Sequence, residues 1–251
     1  MGNLKITGSW LEEILPDGWP IGTSGLITGP GGSGKPLIGN TVAASWLREG
    51  GSVVFMSLQY PDPTFISEGL RQVAGLDLED FRGHYAFIEL DAEMQGWESV
   101  AEDHLRANLV RWEVWEDTLK VALEKVPGEG PGTLVFGSAL NLLLFSPTYG
   151  PHILEQMKRT MRGDGETTFL FSVSNSAKKE MIEELEELAD NLLVSHSTRD
   201  PFRLFLHVER MKGVSFDETE IEVPFTSQTL EEVKAVAEHS RRRVIPLISS
   251  I

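Results

Sequence analysis

The stretch "GPGGSGKP", residues 29–36, decides the fold of this chain. It carries the spacing G-x-x-x-x-G-K of a phosphate-binding loop, in which glycines let successive backbone N–H groups face one anion. An apolar run precedes the stretch and a helical pattern follows it. Strand, loop and helix therefore occur in the order that such a loop requires, and the sequence predicts a phosphate-loop fold.

Eight residues of this region are the predicted nucleotide contacts: Gly29, Gly31, Gly32, Ser33, Gly34, Lys35, Pro36 and Leu37. Lys35 would neutralise the β- and γ-phosphates, and a hydroxyl on the next residue would normally bind Mg²⁺. Pro36 occupies that next position. The first helical turn accepts proline, so the fold survives, but the hydroxyl and one N–H are lost. Nucleotide binding and a glycine turn that only joins strand to helix both remain open.

Short apolar runs alternate with helical patterns, which predicts a mainly parallel sheet with crossover helices. The predicted core strands are 24–29, 52–58, 85–90, 133–138 and 167–173. The predicted helices are 35–49, 64–73, a long one near 101–126 with Trp112 and Trp115 as packing residues, and 151–162. After residue 190, three consecutive strand patterns predict antiparallel strands at one edge of the sheet.

The carboxyl-terminal region from about residue 229 is predicted to be a helix followed by a tail, within a single domain spanning residues 1–251. An amphipathic stretch, 230–239, precedes the basic triplet Arg241, Arg242 and Arg243 and the apolar tail "VIPLISSI" at 244–251. Two alternatives are open for the tail, docking on its own chain or on a neighbouring copy.

Composition limits the classes of partner. The formal net charge of −16 makes nucleic acid an unfavourable partner, since non-specific binding requires Lys and Arg to neutralise phosphates. The chain has no cysteine, which excludes disulfides and thiolate metal sites. Apolar runs such as "ALNLLLF", 139–145, are far shorter than the ~20 residues that cross a bilayer, and no basic stretch with an apolar core begins the chain. We expect a cytoplasmic protein without a membrane segment.

Three segments of the sequence resemble KaiC-like and RadA-like ATPases of the RecA superfamily, as an archaeal member would. They are "LITGPGGSGKPLIGNTVAASWLREGGSVVFMSLQYP" (26–61), "LEELADNLLVSHS" (185–197) and "LHVERMKGVSFDETEIEVPF" (206–225), and the resemblance covers about 11–226. It implies a three-layer α/β fold of the RecA-like P-loop type, with a mainly parallel central sheet and antiparallel strands added toward the carboxyl-terminal edge.

The resemblance also shows which catalytic groups are missing. Such ATPases have an acidic pair just after the second strand, where this chain has Gln59 and Tyr60. They end a later strand with an aspartate that organises the metal, where this chain has Gly137. We therefore predict no catalytic residue and no metal site, because phosphoryl transfer depends on positioning and charge compensation by these groups.

One family element is retained. A basic-x-basic-Gly segment, which in the family reaches a neighbouring subunit's γ-phosphate, is present as Arg210, Met211, Lys212 and Gly213. The resemblance implies a trans-subunit role for Arg210 and Lys212, and the alternative is a solvated strand face paired with nearby glutamates.

These observations predict a degenerate KaiC/RecA-like protein that lacks efficient ATP hydrolysis and acts as a regulatory, scaffolding or protein-interaction module. ATP or ADP would bind weakly or independently of Mg²⁺, and the partner would be a protein or peptide, including another copy of this chain. The alternative is an ATP-binding protein or slow ATPase whose site is completed by a neighbouring subunit.

Overall fold

The structure is a computed structural model that describes residues 2–58, 63–163 and 165–251. The strands are β1 (Asn3–Leu4), β2 (Trp19–Pro20), β3 (Ser24–Thr28), β4 (Ser52–Ser57), β5 (Tyr85–Leu90), β6 (Trp97–Ala101), β7 (His104–Ala107), β8 (Thr133–Ser138), β9 (Thr168–Ser172), β10 (Asn191–Arg199), β11 (Phe202–Arg210) and β12 (Ile221–Glu222). The α-helices are α1 (Lys35–Arg48), α2 (Pro63–Ala74), α3 (Trp112–Glu124), α4 (Gly150–Arg162), α5 (Lys179–Leu188) and α6 (Ser227–Ser249). Short 3₁₀ helices cover Trp10–Glu13, Leu78–Phe81 and Leu140–Phe145.

Within the described ranges, ten strands form one sheet in the order β12-β11-β10-β3-β9-β8-β4-β5-β7-β6. The seven strands from β10 to β7 in this order are parallel to one another. At the edge next to β10, β11 and β12 add antiparallel pairs. The predicted parallel sheet with antiparallel carboxyl-terminal strands is thereby confirmed. An antiparallel strand at the opposite edge, β6, was not predicted.

Helices cover both faces of the sheet and produce three layers. Every residue of β3, β4, β8 and β9 is buried, as expected for parallel strands between two helical layers. Side chains of α1, α2 and the amino-terminal segment form one core, and those of α3, α4, α5 and the Leu140–Phe145 helix form the other. The predicted three-layer α/β fold is therefore observed.

The predicted long helix near 101–126 is wrong. Its first part contains the last residue of β6 and all of β7, and only Trp112–Glu124 is helical. In β7 the residues alternate between half-buried and buried, and Phe87 of β5 pairs with His104, so sheet pairing satisfies this backbone. Trp115 is fully buried, as predicted for a packing residue, but Trp112 is 41% exposed.

The carboxyl-terminal prediction also needs correction, because α6 begins at Ser227 and runs through the basic triplet and most of the apolar tail. Thr226 caps the helix by accepting a hydrogen bond from the N–H of Thr229 at 3.2 Å. Ile248 is fully buried, and Val244, Ile245 and Ile251 pack against the same core. The tail thus docks on its own chain.

A search of the described helices finds no candidate for a membrane-spanning segment.

Candidate functional site

The predicted phosphate loop connects β3 to α1 at the carboxyl-terminal end of the parallel strands. Two of its glycines are required by space as well as by backbone angle. Gly29 has φ +136°, and a Cβ there would lie 2.0 Å from the carbonyl oxygen of Ser195. Gly34 has φ +68°, and its Cβ would lie 2.4 Å from Leu204. An L-residue at position 29 would collide with the backbone of β10, and one at position 34 would adopt a strained backbone and displace the Leu204 side chain.

Lys35 is folded back into the loop and is only 5% exposed. Its Nζ donates hydrogen bonds to the carbonyl oxygens of Gly29, at 3.0 Å, and Pro30, at 2.5 Å, and to Ser33 Oγ at 3.0 Å. Burial lowers the pKa of Lys35 to about 7, while the three acceptors favour the ammonium form. An incoming phosphate must therefore compete with the loop for this cation.

Ser33 joins the loop to the neighbouring strand β10. Its Oγ lies 2.7 Å from Ser195 Oγ and donates to the carbonyl oxygen of Pro30 at 2.8 Å. Because Ser33 uses its proton on Pro30, Ser195 Oγ shares its single proton between Ser33 Oγ and Thr28 O, which lies 3.2 Å away. These buried hydroxyls fix the loop relative to the sheet, since a buried hydrogen-bonded network resists rearrangement.

The segment that follows β9 also forms hydrogen bonds with the loop. The N–H of Gly31 donates to Ser176 Oγ at 2.9 Å, and the N–H of Asn175 donates to Gly29 O at 3.1 Å. Sequence reasoning did not connect this segment with the loop, because the contact spans about 145 residues and has no local pattern.

A cavity of about 290 Å³ lies over the loop. Six of the eight predicted nucleotide contacts line it: Gly31, Gly32, Ser33, Gly34, Lys35 and Pro36. The other two do not. Gly29 lies beneath the loop as an acceptor for Lys35, and the N–H of Leu37 donates to Gly34 O at 2.9 Å in the first turn of α1.

Pro36 occupies the first turn of α1, as its sequence position predicts. It is buried and lines the cavity, so the position that would present a metal-binding hydroxyl presents a pyrrolidine ring. The position at which the sequence predicts a missing hydroxyl is therefore on the wall of the cavity.

Gly137 lies near the end of β8, where the family aspartate would stand. A Cβ there would be 2.5 Å from Leu140 Cδ1 and 2.7 Å from Phe171 Cδ1. Apolar side chains thus occupy the volume that a carboxylate would need. Gln59 and Tyr60, the other two replacements, lie outside the described residues.

The remaining described walls of the cavity are mixed, with six apolar residues, Ala139, Leu142, Phe145, Val173, Ala177 and Ile245, and four polar ones, Asn141, Ser172, Ser174 and Ser176. No carboxylate is among its described lining residues. Likewise, the described parts of the chain hold no cluster of three or more His, Asp or Glu side chains that could bind a metal. The described lining therefore offers Lys35, serine hydroxyls and glycine backbone N–H groups to an anion.

Two backbone outliers border this cavity, and sequence reasoning found neither. Ala139 has φ +58° and Lys178 has φ +56°, and these are the non-glycine residues with positive φ among the described residues. Ala139 lines the cavity, whereas Lys178 follows the lining residue Ala177 and places its Nζ 5.7 Å from the ring centroid of Phe145. Such strained conformations tend to cluster at ligand sites.

The predicted trans-subunit pair is not part of this cavity. Arg210 donates through Nε and Nη2 to the carbonyl oxygen of Ala189, at 3.0 and 2.7 Å, and also contacts the carbonyl oxygen of Glu186. Lys212 Nζ lies 2.9 Å from Asp190 Oδ1. These contacts lie beside the start of β10, which is parallel to β3, whereas the loop follows the end of β3. Both cations are therefore at the opposite end of the sheet from their own loop.

Comparison with known proteins agrees with this architecture. Residues 5–234 match the family model described as "ATPase: KaiC". A UPF0273 protein of Pyrobaculum aerophilum is 25% identical over 162 residues, which are 64% of this chain and 57% of the relative. The matched region thus spans little more than half the length of that relative.

Proposed function

The chain belongs to the KaiC family of ATPases, and we propose that it is a degenerate member that binds ATP or ADP weakly and without requiring Mg²⁺. It lacks efficient hydrolysis and acts as a regulatory, scaffolding or protein-interaction module.

The space around Gly137 carries the proposal. Leu140 and Phe171 close the position at which the family aspartate would organise the metal. Because both side chains belong to the hydrophobic core, a carboxylate could enter only by displacing core packing. In this proposal, position 137 is part of the hydrophobic core and does not organise a metal.

The other replaced residues would also take part in metal binding and in activation of the attacking water. Pro36 has no hydroxyl for the metal, and Gln59 and Tyr60 replace the acids that would polarise the attacking water. Loss of a general base alone typically lowers a rate by about 10²–10⁴-fold, and loss of metal placement lowers it further without being strictly additive. Glycine N–H groups and Lys35 remain, and these suit phosphate binding without hydrolysis.

Titration calorimetry with ATP and ADP tests this proposal, in buffer containing Mg²⁺ and in buffer containing EDTA, alongside a steady-state assay for released phosphate. We expect weak binding of similar affinity in both buffers, its loss in Lys35→Ala, and no metal-dependent turnover. Circular dichroism would verify that Lys35→Ala is folded. Metal-dependent turnover that Lys35→Ala abolishes would overturn the proposal.

A second candidate function is a slow ATPase whose site is completed by a neighbouring copy. The location of Arg210 and Lys212 favours it, because at the far end of the sheet these cations could reach only the phosphate of another subunit. Their engagement with Ala189 and Asp190 favours a purely local role.

Mixing experiments separate the two candidates. Lys35→Ala and Lys212→Ala would each be inactive alone if the site is shared, and a mixture would regain part of the activity. Absence of turnover in the wild-type protein at all concentrations, with no gain on mixing, would eliminate the shared-site candidate.

For partners, we propose a protein or peptide, including a second copy of this chain, and not nucleic acid. The net charge of −16 supports the exclusion. Light scattering over a hundredfold range of concentration would detect self-association. Binding to single-stranded DNA that persists at ~0.2 M salt would contradict the exclusion, since weak electrostatic contacts are lost there.

A further inference from the structure

We propose that Lys178 is a second phosphate-binding residue of the loop cavity and supplies the positive charge that a divalent metal would otherwise bring to a di- or triphosphate. This inference rests on the proposed nucleotide binding and names how the site binds anions without a metal.

The segment that carries Lys178 is attached to the loop itself. Gly31 N–H donates to Ser176 Oγ at 2.9 Å, and Asn175 N–H donates to Gly29 O at 3.1 Å. Lys178 therefore has a fixed relation to the loop, although the two are about 145 residues apart in the chain.

The backbone of Lys178 is held in a conformation that lysine rarely adopts. Its φ of +56° lies in the left-handed region, which costs a non-glycine residue about 1–2 kcal/mol. A glycine or asparagine would adopt this conformation at lower cost. The lysine side chain is thus present where backbone stability alone would favour another residue.

The ammonium of Lys178 is available at the cavity rim. Its Nζ lies 5.7 Å from the ring centroid of Phe145, which lines the cavity, and Lys178 is exposed. Among the described residues Lys178 forms no ion pair, whereas its neighbour Lys179 lies 3.3 Å from Glu183. A cation over an aromatic face keeps its charge free for an anion while its position is restricted.

Lys35 is the one cation among the described residues that line the cavity. Its donors are already engaged, and no described carboxylate lines the cavity to bind a metal. A di- or triphosphate carries several negative charges, which one buried lysine does not balance. Hydrogen bonds between an ammonium and phosphate oxygens are among the stronger contacts in proteins, so Lys178 would contribute measurably to affinity.

Calorimetric titration in EDTA buffer with ATP, ADP and inorganic tripolyphosphate tests the role of Lys178. Lys178→Gln removes the charge, and Lys178→Gly removes it while relieving the left-handed backbone, and circular dichroism and melting temperature verify that both variants are folded. We expect each to weaken all three ligands about tenfold or more, as loss of a charge-assisted hydrogen bond implies. Lys178→Arg should retain binding, and the matched control Lys179→Gln should stay within about twofold, as an exposed ion pair contributes little.

Wild-type affinity for Lys178→Gln and Lys178→Gly, with binding abolished in Lys35→Ala, would overturn the role of Lys178 and leave the proposed function standing. Absence of binding to the wild-type protein in EDTA together with binding in Mg²⁺ would overturn metal-independent binding and, with it, this inference.

Discussion

Leu140 fills the space in front of Gly137: a Cβ on the glycine would lie 2.5 Å from Cδ1 of the leucine. Phe171 closes the same space from β9, at 2.7 Å. The core of this protein therefore extends into the position where related ATPases hold an acid. We therefore expect that an aspartate introduced at this position does not create a metal site.

Gly137→Asp should destabilise the protein without producing an ATPase. The substitution forces side-chain displacement in a packed core, for which overpacking costs about 1–3 kcal/mol, and it buries a carboxylate among apolar groups. We expect the free energy of unfolding to fall by at least about 2 kcal/mol in urea denaturation. Gly128→Ala is a suitable control because a Cβ at Gly128 meets no atom within 4 Å. Unchanged stability together with new metal-dependent turnover would contradict our account of this position.

Nucleotide affinity should decrease as the pH rises above about 7. Burial holds the pKa of Lys35 at about 7 in the free protein, so above this pH a growing fraction of Lys35 is neutral. A bound phosphate favours the ammonium, so binding takes up a proton, and affinity falls toward a limit of about tenfold per pH unit. Titrations between pH 7.5 and 9 in buffers of different ionisation enthalpy would measure this uptake. A pH-independent affinity with no proton uptake would show that Lys35 stays charged throughout.

Arg210→Ala should lower stability even if no subunit contact exists. The guanidinium donates to Ala189 O and Glu186 O at the end of α5, where a cation also interacts favourably with the helix dipole. We expect a loss of about 1 kcal/mol in unfolding free energy, since Arg210 is exposed and such contacts are partly screened. Arg203→Ala is the control, because Arg203 forms an exposed ion pair with Glu222 at 3.3 Å. Arg210→Ala with unchanged unfolding but altered oligomeric state would indicate an intersubunit role instead.

Ile248→Ala should detach or weaken the end of α6. Ile248 is fully buried, and replacing a buried isoleucine with alanine typically costs about 2–5 kcal/mol. Because α6 packs at the edge of the core, we expect about 2 kcal/mol, measured as a lower melting temperature. Leu247→Ala on the same helix is the control, as Leu247 is 38% exposed. A truncation after Arg243 that left size and melting temperature unchanged would refute docking of this segment.

The five predicted core strands match the structure to within about one residue at each end, because strands buried on both faces are continuous apolar runs. The hairpin of β6 and β7 could not, since Leu105 and Leu109 fit a helical spacing as well as they fit the observed strand and turn. Pairing with β5 decides this segment, and that partner is distant in the chain.

The candidate site likewise has residues that the sequence predicted and residues that it did not. Local spacing identified the loop, Lys35 and Pro36, because their conformations depend on adjacent residues. The position of Lys178 and the contribution of Ile245 to the cavity wall depend on contacts with distant segments. No local pattern marks either residue.

The sequence by itself determined the phosphate loop and the parallel sheet, since each follows from residue type and spacing along short stretches. The tertiary structure alone decided that Leu140 and Phe171 fill the space beside Gly137, that Lys35 is held inside its own loop, and that Ile245 of α6 lines the cavity. The burial of these side chains and the space around them depend on residues from segments distant in the chain. They are therefore defined only when the strands and helices pack together.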